Sequence, residues 1–447
     1  MTMQFRSAFV LACGLTAACG SNSTNNNTGG IDAPGTQPVD ASQGSQDGSV
    51  SDGSTTLADG SIQPSGVYAI PLTTPTGDDQ GFLYAPAVTA SGKTFLLDLD
   101  TGSTVTGIAS TTCTGCTGLS PLYAPGTGAM ATGNTDSAQY ADGSGWSGSV
   151  YSDMVGLGQG SPAVKLDFVA ITSQDQFFSG NENQGILGIG PSALLDSGTT
   201  AYPDQLKAAG VAAVMAFELC PTDGTMWLGG FDDSHMASAP QYTPLLATGV
   251  NKDFYSVNMT GMSLGATSLG ISAATFDNPI VDTGTSLFYI PSTAETALIK
   301  DINMSAAYKA LFPGQTLTDP TNSNSQTAGC ANATAGTTAA TVDAMLPPLS
   351  MTFAGMGGGS ITLSVPATAS YFYDAGGGQF CLGIFGGGDQ GDATMGDMFM
   401  RAFVTVIDLA NKKVGFSPTS HCAAPAEHVA HRIHEVGRGP HHVRRAN

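Results

Sequence analysis

Two short stretches of the chain say nearly the same thing: Leu97-Asp98-Leu99-Asp100-Thr101-Gly102-Ser103 and Pro279-Ile280-Val281-Asp282-Thr283-Gly284-Thr285-Ser286. Each is an apolar strand that runs into Asp-Thr-Gly followed by a hydroxyl residue. The two aspartates lie 182 positions apart (282 − 100), the spacing an internal duplication would leave in a chain of 447 residues. Such a chain is long enough for two lobes with separate cores.

Around these stretches the composition is that of an all-β protein. Glycine occurs 59 times and charged residues make up only 11%. Short apolar runs alternate with Gly, Ser and Thr clusters from Val67 to Cys422. Gly81-Phe82-Leu83-Tyr84 and Thr94-Phe95-Leu96-Leu97 flank a Ser91-Gly92-Lys93 turn, a hairpin signal. Helical patterns are few, and are predicted at Pro203–Met215 and Ser292–Ile302, with Pro or Ser at their starts. The formal net charge of −21 argues against nucleic acid and anionic membrane surfaces as partners.

The repeated Asp suits one chemistry in particular. Hydrolysing an amide with unactivated water needs a base to take the water proton and an acid to polarise the carbonyl. Two carboxyls that share one proton supply both, because like charges a few ångströms apart do not both ionise cheaply. Gly102 and Gly284 let backbone approach a carboxyl closely, and Ser103 and Thr285 can donate hydrogen bonds to it. A third segment, Asp196-Ser197-Gly198-Thr199, fits the same short pattern. It follows a Gly-rich turn and a Pro and leads to Tyr202-Pro203-Asp204, so it reads as a loop before a helix.

On these residues the chain resembles the pepsin family of bilobal aspartic proteases over about residues 65–422. The resemblance implies an all-β fold of two β-barrel-like lobes related by a pseudo-twofold axis, with a few short helices. It implies an aspartic endopeptidase of polypeptides, with Asp100 and Asp282 catalytic and Thr101, Gly102, Ser103, Thr283, Gly284 and Thr285 in support. No metal or cofactor is expected. Ile186-Leu187-Gly188 matches the element that closes the first half-site, and Met395-Gly396-Asp397 begins the one that closes the second. No comparable element follows Asp196. Gln139-Tyr140-Ala141-Asp142-Gly143-Ser144-Gly145 matches the family's flap, which places Tyr140, Asp142 and Gly143 over the substrate; a core tyrosine in a strand is the other reading of Tyr140. The first lobe is expected over 65–241 and the second over 242–422. The resemblance pairs Cys113 with Cys116 and Cys330 with Cys381, which leaves Cys220 with Cys422.

Two positions depart from the family pattern. The family's Trp seven places after the first catalytic Asp is Gly107 here, so either the flap is looser or Trp146 takes over. Asp98 stands where an apolar residue is usual, on the same side of the strand as Asp100; it either raises the pKa of the pair or is hydrogen-bonded nearby. An enzyme with both copies in one chain has no need to dimerise, and a monomer is expected. A catalytically idle peptide- or glycan-binding surface protein on the same fold is the alternative reading.

The ends read differently. Residues 1–18 look like an export signal, and Leu15-Thr16-Ala17-Ala18-Cys19 resembles a bacterial lipoprotein site with Cys19 lipidated; secretion without a lipid remains open. The cysteine usage agrees with export, six remaining for three bridges. Residues 19–64 are a polar stretch poor in bulky apolar residues, expected to be disordered and to reach roughly 40 Å as a coil. They contain no Lys or Arg, unlike the basic prosegment usual in the family. Residues 423–447 form a basic tail with His428, His431, His434, His441 and His442, read as a disordered end or as a binder of metal, anionic lipid or polysaccharide.

Overall fold

The computed structural model describes residues 55–56, 62–63, 66–74, 83–140, 143–178, 183–195, 198–276, 278–319, 329–387 and 393–422. Cys19, Asp142, Asp196 and the tail 423–447 lie outside them. Of the stretch 19–64, only Thr55–Thr56 and Ile62–Gln63 are described, as a two-residue antiparallel ladder.

The strand that carries Asp100 is one arm of a hairpin. Ala85–Ala90 pairs antiparallel with Lys93–Asp100. Ser91 (φ 48°) and Gly92 (φ 74°) make the turn. Positive φ at both central residues matches the twist of the flanking strands, which is why a small residue followed by Gly suits this place. On its far side Lys93–Asp100 pairs in parallel with Gly185–Gly188, in the register Ile186↔Asp98, Leu187↔Leu99, Gly188↔Asp100. Alternation then sorts the side chains. Leu97, Leu99 and Leu187 enter the main core, and Ile186 packs with Val105, Tyr140, Trp146, Ile171 and Phe177 on the other face. Removing Leu99, which is fully buried, is worth about 2–5 kcal/mol.

The second half repeats this arrangement with shorter strands. Ile280–Val281 pairs in parallel with Thr394–Met395, and Phe288–Ile290 pairs antiparallel with the same strand. In the first half, Gly107–Thr114 pairs antiparallel with Gly185–Gly188 in the same way. The chain is thus mostly β with few short helices, and it has the bilobal pepsin-like fold. An antiparallel sheet spans the two halves in the order Gln241–Pro244, Lys413–Pro418, Phe403–Asp408, Val214–Leu219, Asp223–Leu228, Tyr68–Thr73. Its strands are drawn from both ends and the middle of the chain, and Val214–Leu219 pairs with Phe403–Asp408 where the two halves join.

The helix predicted at Pro203–Met215 is shorter in the structure. It runs Tyr202–Ala208, and Gly210 (φ 90°) ends it; Val214–Leu219 is a strand. Helix Ser292–Met304 extends two residues past its predicted end. Helices Ala306–Leu311 and Ala339–Met345 were not legible as helices. Disulfides join Cys113 to Cys116, Cys330 to Cys381 and Cys220 to Cys422. Among the described residues no helix is long and apolar enough to cross a membrane.

Candidate active site

Asp100 and Asp282 stand at the ends of the two equivalent parallel strands, and both are fully buried. The backbone after each Asp curls over its own carboxylate. Asp100 Oδ1 accepts from Gly102 N at 2.7 Å and Ser103 N at 3.1 Å, and Oδ2 accepts from Ser103 Oγ at 2.5 Å. Asp282 Oδ1 accepts from Gly284 N at 2.9 Å and Oδ2 from Thr285 Oγ1 at 2.7 Å.

The two loops also hold each other. Thr101 N donates to Thr283 Oγ1 at 3.1 Å, and Thr283 N donates to Thr101 Oγ1 at 3.0 Å. Each hydroxyl passes its own proton across: Thr101 Oγ1 to Val281 O at 2.9 Å, Thr283 Oγ1 to Leu99 O at 2.8 Å. Two buried hydrogen bonds run in each direction, so the contact between the halves is specified without any charge. The glycines set the approach. A Cβ on Gly102 would lie 2.5 Å from the Asp282 carboxyl, and a Cβ on Gly284 would lie 2.6 Å from Asp100 Oδ1. No side chain fits at either place, and each carboxyl therefore sits against the other's loop.

Behind the loops the parallel partners lock the ends. Ile189 N donates to Asp100 O at 2.8 Å and Gly190 N to Ser103 O at 2.7 Å. In the second half Asp282 N donates to Met395 O at 3.1 Å and Asp397 N to Thr285 O at 2.8 Å. Gly188 and Gly396 each leave no room for a Cβ against the facing backbone. Tyr255, from the segment Phe254-Tyr255-Ser256-Val257, crosses to donate to Ile189 O at 2.8 Å.

Burial holds the Asp100 carboxyl well above the usual carboxylate range. The Asp282 charge and a side-chain hydrogen bond with Asp282 raise it further, as does the Asp98 charge; the Ser103 hydrogen bond works the other way. Two carboxyls in one buried site with a hydrogen bond between them hold one proton more tightly than two separate aspartates would.

Tyr140 lies at the tip of the hairpin formed by Met130–Gln139 and Gly145–Gly156. Gly143 N donates to Tyr140 O at 3.1 Å and Tyr140 N to Ser144 O at 2.9 Å. Gly143 has φ 88°, a conformation only glycine adopts without strain. The Tyr140 ring stacks on Phe177 at 5.4 Å, and its hydroxyl accepts from Trp146 Nε1 at 3.0 Å. Of the two readings left open at Gly107, the structure shows the hydrogen bond made by Trp146. Gly198, of the third Asp-Ser-Gly segment, lies against Asn134 on the outer strand of this hairpin.

A family profile described as "Eukaryotic aspartyl protease" matches residues 85–419. The chain belongs to the eukaryotic aspartyl protease family. It is 30% identical over 350 residues to an aspartic protease of Phaffia rhodozyma, covering 76% of this chain and 78% of the relative. It is 28% identical over 355 residues to aspergillopepsin-1 of Aspergillus pseudoglaucus, covering 77% and 80%. Over 359 residues it is 28% identical to penicillopepsin-1 of Penicillium janthinellum, covering 78% and 98%. The protein is an aspartic endopeptidase, a hydrolase of polypeptides. The comparisons point to fungal proteases of this family and carry no support for a bacterial lipoprotein type.

Two features of this protease escaped the sequence reading. The crossed Thr101–Thr283 bonds form between segments far apart in the chain, and no local signal marks them. Glu295, on helix Ser292–Met304, is buried and pushed up to about 7, by burial first and then by the Asp319 charge. A lone Glu on the inner side of an apolar helix is the one signal that could have found it.

Proposed function

We propose that Asp100 and Asp282 are the catalytic pair and cleave peptide bonds with a water held between them. With one proton on the pair, the ionised carboxylate takes a proton from the water as its oxygen bonds to the peptide carbonyl carbon. The protonated carboxyl gives its proton to the carbonyl oxygen. The resulting diol collapses: the C–N bond breaks, the amine nitrogen leaves with the proton taken from the water, and one diol hydroxyl returns its proton to the pair. The observation that carries this reading is the reciprocal approach, in which each loop glycine fits against the opposite carboxyl. Ser103 and Thr285 hold the outer carboxylate oxygens so that the inner ones face the water.

The singly protonated pair is the working form, and it belongs to acidic solution. The extended substrate lies between the lobes 65–241 and 242–422 and prefers bulky apolar residues beside the cut. The hairpin tip, with Tyr140, Asp142 and Gly143, closes over it and excludes water. The enzyme acts as a monomer. Cys19 carries a lipid that anchors the body to a membrane through residues 19–64; mass spectrometry of the mature N-terminus tests that part.

The reading is tested by incubating a denatured protein with the enzyme at acidic pH, with and without pepstatin. Cuts flanked by bulky apolar residues and abolished by pepstatin are expected. Cleavage indifferent to pepstatin, or none between pH 2 and 7, overturns it.

A further inference from the structure

We propose that Trp146 is the positioning residue of Tyr140 and that Gly107 is the notch that seats it. The donor that holds Tyr140 then comes from its own hairpin, and its indole is seated against the lobe at Gly107. This rests on reading the Tyr140 hairpin as the closing element of the active site.

Trp146 and Tyr140 belong to the same hairpin. Trp146 lies on the return strand, paired with Ala138, and both side chains are buried. The indole N–H reaches the Tyr140 hydroxyl at 3.0 Å, and the same two rings share Phe177, which Tyr140 meets stacked at 5.4 Å and Trp146 edge-on at 6.5 Å. The phenol is fixed on its face by one residue and at its oxygen by the other. A donor on the same hairpin keeps its hydrogen bond when the hairpin moves as a unit.

The strand ladder to Val164–Asp175 ties the hairpin to the lobe, and the far edge of the indole packs beside it against Gly107. A Cβ on Gly107 would lie 3.2 Å from Trp146 Cζ2, 3.3 Å from Cη2 and 3.1 Å from Ile171 Cδ1. Gly107 sits in the strand Gly107–Thr114 outside the left-handed region, so its backbone does not call for glycine. The space taken by the indole does. Even a methyl group there requires the ring and the Ile171 tip to give by a few tenths of an ångström, in a cluster packed as densely as a crystal.

The chain has two tryptophans, and Trp227 packs in a separate cluster with Ala216, Val404 and Val406. In a Trp227→Phe background, Trp146 emission therefore reports the seat directly, whether or not the protein turns over. Gly107→Ala is expected to shift that emission to the red, increase its quenching by acrylamide, and lower kcat by about three- to tenfold, the worth of one hydrogen bond. In the catalytic assays Trp146→Phe gives a loss of the same size. The double variant Gly107→Ala/Trp146→Phe loses little more than Trp146→Phe alone, because phenylalanine lacks the indole atoms that the new methyl meets and only the flexible Ile171 tip is left to yield. Losses that add, or unchanged Trp146 emission in Gly107→Ala, overturn the proposal.

Should Gly107→Ala not fold, the cycle of Tyr140→Phe with Trp146→Phe decides. Both remove one hydrogen bond, so the double is expected to match the larger single loss, and additive losses overturn the pairing. A wild type with no peptidase activity would defeat the catalytic reading instead, and the emission shift would still decide the notch.

Discussion

The two half-sites share a backbone and differ in what stands beside it. Strand register gives the equivalences directly. Asp98 and Ile280 are each two places before the aspartate, opposite Ile186 and Thr394; Gly107 and Tyr289 are each seven places after it and pair with those same two residues. The crossed threonines, the tight glycines and the hydroxyls of Ser103 and Thr285 are kept in both halves. The first half adds a second buried carboxyl, Asp98, beside Asp100 and a Gly that receives Trp146. The second half has Ile280 and Tyr289 in those places and carries buried carboxyls of its own: Asp397, where the first half has Ile189, and Glu295, which lies with Asp319. The lesson is that duplication supplies the machinery that must be symmetric, two carboxyls meeting across one axis. The Asp98 charge and the seat of Trp146 are local to the first half, while burial and the facing Asp282 charge contribute more to the proton affinity of Asp100.

That comparison can be broken at several places. The largest effect is expected from Asp100→Asn and Asp282→Asn, each losing at least about a thousandfold in kcat, since each removes one half of an acid–base pair. Unequal losses, measured on one peptide, would show that the halves are not equivalent in the chemistry. Thr101→Ala and Thr283→Ala each leave a buried N–H and a buried carbonyl without the hydroxyl between them. Urea unfolding is expected to show a loss of about 2–4 kcal/mol for either, and the same loss within error.

Glu295 sharpens the contrast through pH. Its folded-state pKa is raised from 4.5 to about 7, so the folded form binds the proton more tightly, and stability falls as pH rises through that window. At about 1.4 kcal/mol per unit the loss is at most about 3.5 kcal/mol. Glu295→Gln is expected to flatten urea midpoints between pH 4.5 and 7, and a variant with the wild-type slope would remove Glu295 from the account. The smallest effect belongs to Asp98→Asn. The Asp98 charge raises the Asp100 carboxyl, so its removal lets the pair ionise earlier, and the neutral limb of kcat/KM should move to lower pH. A shift to higher pH would mean that Asp98 acts mainly through its hydrogen bonds.

The sequence carried the fold and the pair because the signal is doubled. Asp100 and Asp282 each end an apolar strand, and Ile186-Leu187-Gly188 lies where a parallel partner can reach the first. Trp146 stood as one of two options at Gly107, since sequence cannot tell which neighbour fills the space a glycine leaves. The helix at 203–215 ran too far because Val211 and Met215 have a spacing that suits helix and strand alike, and Gly210 was read too weakly as a stop. Helix Ala339–Met345 has too few apolar residues to show a period, and only Thr338, which caps it by accepting from Thr341 N, marks its start. The threonine crossing and the Glu295–Asp319 pair depend on tertiary contact and leave no local trace.

The most direct measurement is kcat/KM on one apolar peptide from pH 2 to 7, for the wild type and Asp282→Asn side by side. With one proton shared by the two aspartates, wild-type activity should fall toward neutral pH as that proton is lost, and the variant should stay below about a thousandth of it throughout. A variant that turns over with the same pH limb would mean that the proton belongs elsewhere and that the two carboxyls do not act as one.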